Sequence, residues 1–129
     1  MENLNEKYTI DDVHDMLEEI ASTIPEVLLE DLQGGIVLIE SAKMHPKSIN
    51  NTLYINGEYV RNRMYNLIRI YYGSIIKTRG HLPREQFKDK LEEVLIHELR
   101  HHIEFKCNDF SLIKEDKEYI RKYLERYGK

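Results

Sequence analysis

Cysteine occurs once in these 129 residues, at Cys107, so no disulfide can close within the chain and nothing points to an oxidising compartment. Long apolar runs are missing as well, and no stretch approaches the length that crosses a bilayer. Met1 to Thr9 is polar and acidic and lacks the apolar core of a signal peptide. These absences predict a cytoplasmic protein with no membrane partner. Positive charge is not in excess either: 19 Lys and Arg face 23 Asp and Glu, a formal net charge of -4. Phosphate contacts need clustered cations, so a nucleic-acid partner is not expected. No repeat, low-complexity segment or linker divides the chain, and residues 1–129 read as one domain. With 41% hydrophobic and 33% charged residues, that domain can bury a modest core and is too apolar to be disordered.

The pattern of elements is mixed. Thr9 and Asp12 have capping-box spacing ahead of Ile10, Val13, Leu17, Ile20 and Ile24, the apolar face of a first helix. Pro25 opens a short helical turn over 26–32, which Gly34-Gly35 stops. Ile36 to Ile39 reads as a strand buried on both faces, and Ser41 to Asn51 as a loop. Asn56-Gly57 between two short β-prone flanks is the strongest local hairpin signal, with an irregular turn as the alternative because the flanks are so short. Leu67 to Tyr72 predicts a second strand, ended by Gly73, and Thr78 to Leu82 a turn. Pro83 then opens a long helix reaching about Lys106, and a last helix is expected over 112–127. On that last helix Lys114, Lys117, Arg121, Lys122 and Arg126 are mixed with Glu115, Asp116, Glu118 and Glu125, the pattern of a solvated face.

The long helix carries the chemistry. His97-Glu98-Leu99-Arg100-His101 is an H-E-x-x-H string, which puts two imidazoles one turn apart, about 40° around the axis from each other. Such a pair can hold one divalent ion, with the carboxylate between them able to act on water. Phe87, Leu91, Val94, Leu95, Leu99 and Phe105 form an apolar arc, and Glu98 falls inside it. A carboxylate there is costly unless it is paired, protonated or near a cation, which favours a functional reading over an accidental one. A catalytic zinc usually has three protein ligands. Asp109, just past the expected helix end, can turn back over the pair and is the expected third, with Glu104, Cys107 or water as alternatives. Asp109 could equally be an N-cap for the last helix. His102 projects towards the apolar arc and reads as a hydrogen-bonded packing histidine; His14, His45 and His81 lack the spacing of a site.

Ile70-Tyr71-Tyr72-Gly73-Ser74 followed by Val94-Leu95-Ile96-His97-Glu98-Leu99-Arg100-His101-His102-Ile103-Glu104 resembles the small, bacterial, single-domain zincin-like metallopeptidases. The likeness runs from about Pro25 to Asp116. It implies an α+β fold, a minimal zincin: a short mixed sheet packed against the H-E-x-x-H helix, with flanking N- and C-terminal helices. It also implies His97 and His101 as zinc ligands and Glu98 as general base. Some members extend the motif as H-E-x-x-H-x-x-G-x-x-D; here Glu104 stands at the Gly position and Cys107 at the Asp position, with Asp109 two residues on. No methionine follows Met64, so the Met-turn of the larger metzincins is missing.

The expectation is therefore a Zn2+-dependent hydrolase acting on a peptide or protein substrate. The Leu67–Tyr72 strand could hold an extended peptide by backbone pairing if it lies at the sheet edge beside the cleft, and Tyr71 or Tyr72 is expected to pack or cover the cleft rather than to hold an oxyanion. A catalytically silent metal- or peptide-binding module on the same fold is the main rival. A helical interaction protein with an accidental motif is the other.

Overall fold

A computed structural model describes residues 7–46, 53–62, 65–108, 121–123 and 125. The chain opens with α1 (Ile10–Ser22), whose start is the expected capping box: the Asp12 N–H donates to Thr9 Oγ1 at 3.1 Å, and the Thr9 N–H donates to Asp12 Oδ2 at 2.9 Å. Val13, Met16, Leu17 and Ile20 point inward. After Pro25, α2 (Glu26–Leu29) is a single turn, shorter than the 26–32 expected. Glu30 is extended and Asp31 takes a left-handed φ of 66°, a conformation that Asp tolerates better than most residues. The Glu30 carbonyl is thereby turned to accept from His102 and Lys106 on the long helix, so tertiary bonds replace the next helical turn.

Three strands form the main sheet: β1 (Ile36–Ile39), then, after the short strands β2 (Lys43–Met44) and β3 (Tyr54–Ile55), β4 (Gly57–Arg61) and β5 (Asn66–Tyr71). The order is β1-β5-β4, with β1 parallel and β4 antiparallel to the central β5. The fold is a small α+β domain built on a short mixed sheet. Ile68 and Ile70 of β5 are fully buried, and Ile36 and Leu38 of β1 pack against the same core. The expectation that β1 is buried on both faces is corrected: all four of its residues are half-buried, because an edge strand has a neighbour on one side only. The central, buried strand is β5.

The hairpin expected at Asn56-Gly57 does not form. β3 pairs with β2, through Lys43 opposite Ile55 and Met44 opposite Tyr54, while β4 pairs with β5. Asn56 has already joined β5, its carbonyl accepting from the Tyr71 N–H at 2.9 Å. Gly57 serves close approach instead of a turn: a Cβ there would lie 2.9 Å from Val94 Cγ1 and 3.2 Å from Glu98 Cγ, so only a glycine lets β4 sit this close to the long helix. The segment 41–51, expected as a loop, contains β2; the part over 47–51 lies outside the described residues.

Sequence reasoning also missed α3 (Tyr72–Arg79), which follows β5 without a break. Gly73 lies in its first turn, two residues past the end of β5. Its N–H donates to the Glu40 carbonyl at 3.1 Å, and a Cβ would come within 2.5 Å of the Ala42 nitrogen. The long helix, α4 (Arg84–Asn108), begins after Pro83 as expected. Phe87, Leu91, Leu95 and Leu99 are wholly buried, with Ile96 and Ile103 beside them. Of the last expected helix, residues 121–123 and 125 are helical and Tyr123 reaches the core. The Arg121 guanidinium donates to Glu125 at 2.6 Å on an exposed face, and the rest of 112–127 lies outside the described residues. Among the described residues no helix is long and apolar enough to cross a membrane.

Candidate functional site

α4 displays the motif as its periodicity requires. His97 and His101 are both exposed, their ring centroids 4.9 Å apart with the planes at 88°. Glu98 lies beneath β4, beside Gly57, and is 8% exposed. Its carboxylate accepts the backbone N–H of Tyr59. Burial raises the Glu98 pKa above the ordinary carboxylate value, against the opposing pull of the His97 and His101 charges and the Tyr59 N–H. A buried acid held by one amide and flanked by two imidazoles is a better base than a solvated glutamate.

Behind Glu98 lies a directional hydrogen-bond chain. A carbonyl only accepts, so His102 donates through Nε2 to the Glu30 oxygen at 2.8 Å, and its Nδ1 must accept the Tyr59 hydroxyl at 2.9 Å. The Tyr59 oxygen in turn accepts from Asn66 Nδ2 at 3.2 Å, and Asn66 Oδ1 accepts from the Gln33 N–H at 2.8 Å. Every link is used once and in one direction. Burial holds the His102 pKa below its usual value, although its bond to the Glu30 carbonyl favours the proton. His102 is thus the packing histidine its helical angle predicts. Lys106, 3% exposed, adds a 3.1 Å bond to the same carbonyl and sits 3.3 Å from Asp31 Oδ2. Together these bonds tie α2, β4 and α4, and they fix the strand that holds Glu98.

The condition for peptide pairing along Leu67–Tyr72, a place at the sheet edge, is not met. β5 is paired on both sides, and the free edge beside α4 belongs to β4. Bonds from Tyr71 to Asn56 and from Asn62 to Tyr65 set the alternation, so Gly57, Tyr59 and Arg61 turn their backbone N–H and C=O outward. The tyrosines at the end of β5 are engaged elsewhere. The Tyr71 hydroxyl donates to Glu58 Oε1 at 2.7 Å, and the Tyr72 hydroxyl to the Tyr8 carbonyl at 2.6 Å.

Glu58 shows the opposite electrostatics from Glu98. Burial would raise its pKa, but hydrogen bonds from Lys43 (2.7 Å) and Tyr71, with the charges of Lys43 and Arg69, bring it below the ordinary value. A carboxylate with a lowered folded pKa stabilises the fold above its unfolded pKa, and that contribution is lost as pH falls through the folded one. Glu58→Gln should therefore cost about 1 kcal/mol at neutral pH, the partly exposed lysine screening the pair. The gap from the parent protein should close as pH falls through the lowered folded pKa of Glu58. Urea midpoints across that range check it; a gap that persists in acid means that shape, not charge, is lost.

A groove runs between the β4 edge and α4. One lobe, of about 670 Å3, lies on the His101 side among Tyr59, Arg61, Glu104 and Phe105, with the Arg61 guanidinium 4.2 Å over the Phe105 ring. The other, of about 300 Å3, lies on the His97 side among Arg79, Lys90, Glu93 and Val94. Ile55, Gly57 and Glu98 line both lobes, so Glu98 stands where they meet. Both volumes are in the range that takes a side chain or a short segment.

His97, Glu98 and His101 therefore come together, and Asp109 lies outside the described residues. Glu104 comes within 3.4 Å of His101 Nδ1. Among the described residues neither histidine forms a trio with further metal-ligating side chains; the one such trio is His14, Asp15 and Glu18, all exposed on α1. Gly57, Tyr59, Arg61 and Arg79 are among the groove residues that sequence reading missed. The Asn56-Gly57 dipeptide marks this place, but as a local signal it encodes a turn, not close approach to a helix.

No family model matches the chain, and no curated protein does. Among solved structures, the chain is similar to a conserved hypothetical protein from Thermo thermophilus, with a TM-score of 0.67 and 24% identity over 78% of this chain and 99% of that one. The likeness is one of fold, and it takes in nearly the whole of that protein.

Proposed function

We propose that this protein is a zinc-dependent metallopeptidase with a minimal zincin-like fold. The observation that carries the reading is the pairing of two adjacent exposed imidazoles, His97 and His101, with a buried carboxylate, Glu98, that opens onto the groove beneath a free strand edge. This donor set fits zinc: two imidazoles on consecutive turns with a carboxylate beside them. His97 and His101 would hold the ion, and Asp109 is the proposed third protein donor. Bound zinc would supply Lewis acidity to a substrate carbonyl and make a nearby water easier to deprotonate.

The chain's own residues do the rest. Glu98 accepts the proton of the attacking water on its carboxylate and returns it to the leaving amine nitrogen. The Tyr59 N–H holds the carboxylate in place, and the Tyr59 side chain is itself anchored through its hydroxyl to His102 and Asn66. The outward backbone groups of Gly57 and Arg61 can pair with an extended peptide on either side of Glu98, adding a strand to the sheet. The substrate is thus an extended segment of peptide or protein.

Zinc titration by calorimetry, together with turnover of a peptide library, tests this reading. One equivalent of bound zinc and cleavage that a chelator stops are the expected results. Zinc bound without cleavage would favour a silent metal- or peptide-binding module, the reading suggested by His97 and His101 forming no trio with a third donor among the described residues. No zinc bound, even after adding it back in excess, would end the metallopeptidase reading and leave at most a metal-free peptide-binding module.

A further inference from the structure

The two lobes of the groove differ in how their charges are balanced. On the His101 side, Arg61 is stacked on Phe105 and shares the lobe with Glu58 and Glu104. On the His97 side there are two cations and one acid besides Glu98. Lys90 Nζ lies 3.5 Å from Glu93 Oε1, which satisfies that pair. Arg79 is left over. It is half-buried at the end of α3, and its one hydrogen bond among the described residues is a 3.4 Å contact from Nη1 to the Thr78 carbonyl. A guanidinium has five donors in a planar fork that matches a carboxylate. Local structure explains its presence in part, since a cation in the last turn of a helix suits the dipole. That does not explain why it forms the wall of a cavity instead of extending into solvent.

We propose that Arg79 is a specificity-determining residue that binds a carboxylate of the peptide in the His97-side lobe. This rests on reading the groove as a peptide site. β4 runs from the His97 side at Gly57 to the His101 side at Arg61. A guest strand paired antiparallel to it, the more stable arrangement, lays its C-terminal part against Arg79. The carboxylate is then either an Asp or Glu side chain on the C-terminal side of the central residue or the free C-terminus of a short peptide. The lobe, at about 300 Å3, has room for one acidic side chain or a terminal residue.

The test reads binding, not cleavage. Fluorescent peptides are titrated into the Glu98→Gln protein, with and without added zinc, by anisotropy. The set pairs an internal Asp or Glu with the matching Asn or Gln, and a free C-terminus with its amide. At least one acid should bind about tenfold more tightly than its neutral match, and the pair that responds identifies the source of the carboxylate. Arg79→Gln should abolish the preference, Arg79→Lys should keep part of it, and Arg79→Glu should reverse it towards Lys-bearing peptides. Equal binding of acid and amide, a preference that survives Arg79→Gln, or no binding of any peptide overturns the proposal. A chain that hydrolyses nothing can still pass this test, and a working peptidase can fail it, so the two readings stand or fall separately.

Discussion

Glu98→Gln should lower peptide turnover by roughly 10^2 to 10^4-fold, the usual contribution of a positioned general base, while leaving zinc affinity within a few-fold of the parent. The replacement is nearly isosteric. Its amide oxygen can still accept the Tyr59 N–H that the carboxylate accepts now, so β4 and α4 keep their spacing around Gly57. What is lost is the site that takes up a proton. The folding consequence has the opposite sign and serves as a control. Burial raises the Glu98 pKa, so its ionised form is penalised in the folded, metal-free chain at pH values above the folded pKa. Glutamine removes that penalty, and the metal-free variant should be at least as stable as the parent at neutral pH, by about 1 kcal/mol at most. A dead variant that is also unstable would say nothing about catalysis; one that is dead, stable and zinc-loaded identifies the base. Turnover equal to the parent's would remove Glu98 from the mechanism.

The helix that carries these residues was legible because its period is strict. Phe87, Leu91, Leu95 and Leu99 repeat every four residues and are all fully buried, and Glu98 was placed among them by angle alone. The Thr9–Asp12 cap was legible for a similar reason, being a local pattern that no distant contact alters. The sheet was not. Ile36–Ile39 looks like a central strand by composition, yet which strand has two neighbours is decided by chain topology, and the more mixed Asn66–Tyr71 segment won the centre. Asn56-Gly57 shows the same limit. The dipeptide permits a tight turn, but the space needed between Val94, Glu98 and β4 demands a glycine at that position whatever the turn. Likewise α2 stops early because the Glu30 carbonyl accepts from His102 and Lys106, more than 70 residues away in sequence. Of the site, the residues on one helix were readable. Those delivered by other elements, such as Tyr59 and Arg79, were not, because each depends on a pairing or a packing distance that no local spacing encodes.

Phe87→Ala should be the most damaging single truncation, costing about 3–5 kcal/mol, a large part of the stability of a domain this size. Phe87 is wholly buried and stacks on Tyr8, with ring centroids 4.2 Å apart and planes 21° from parallel. Tyr8 is itself a tie-point. Its hydroxyl donates to the Leu82 carbonyl at 2.6 Å, and its carbonyl accepts from the Tyr72 hydroxyl at 2.6 Å. Removing the Phe87 ring therefore opens a cavity and loosens the join between the start of α1, the start of α3 and the start of α4. The same substitution should leave zinc affinity nearly unchanged in protein that is still folded, because His97 lies ten residues on, roughly 15 Å along the helix. Phe87→Leu, which keeps most of the volume, should cost only about 1 kcal/mol. Denaturant midpoints and zinc titrations on the two variants decide the matter. A loss below about 1 kcal/mol for alanine would mean that the neighbours close over the gap. A large change in zinc affinity would mean that the helix transmits strain from its N-terminal anchor to the histidine pair, and that stability and metal site are not separable in this fold.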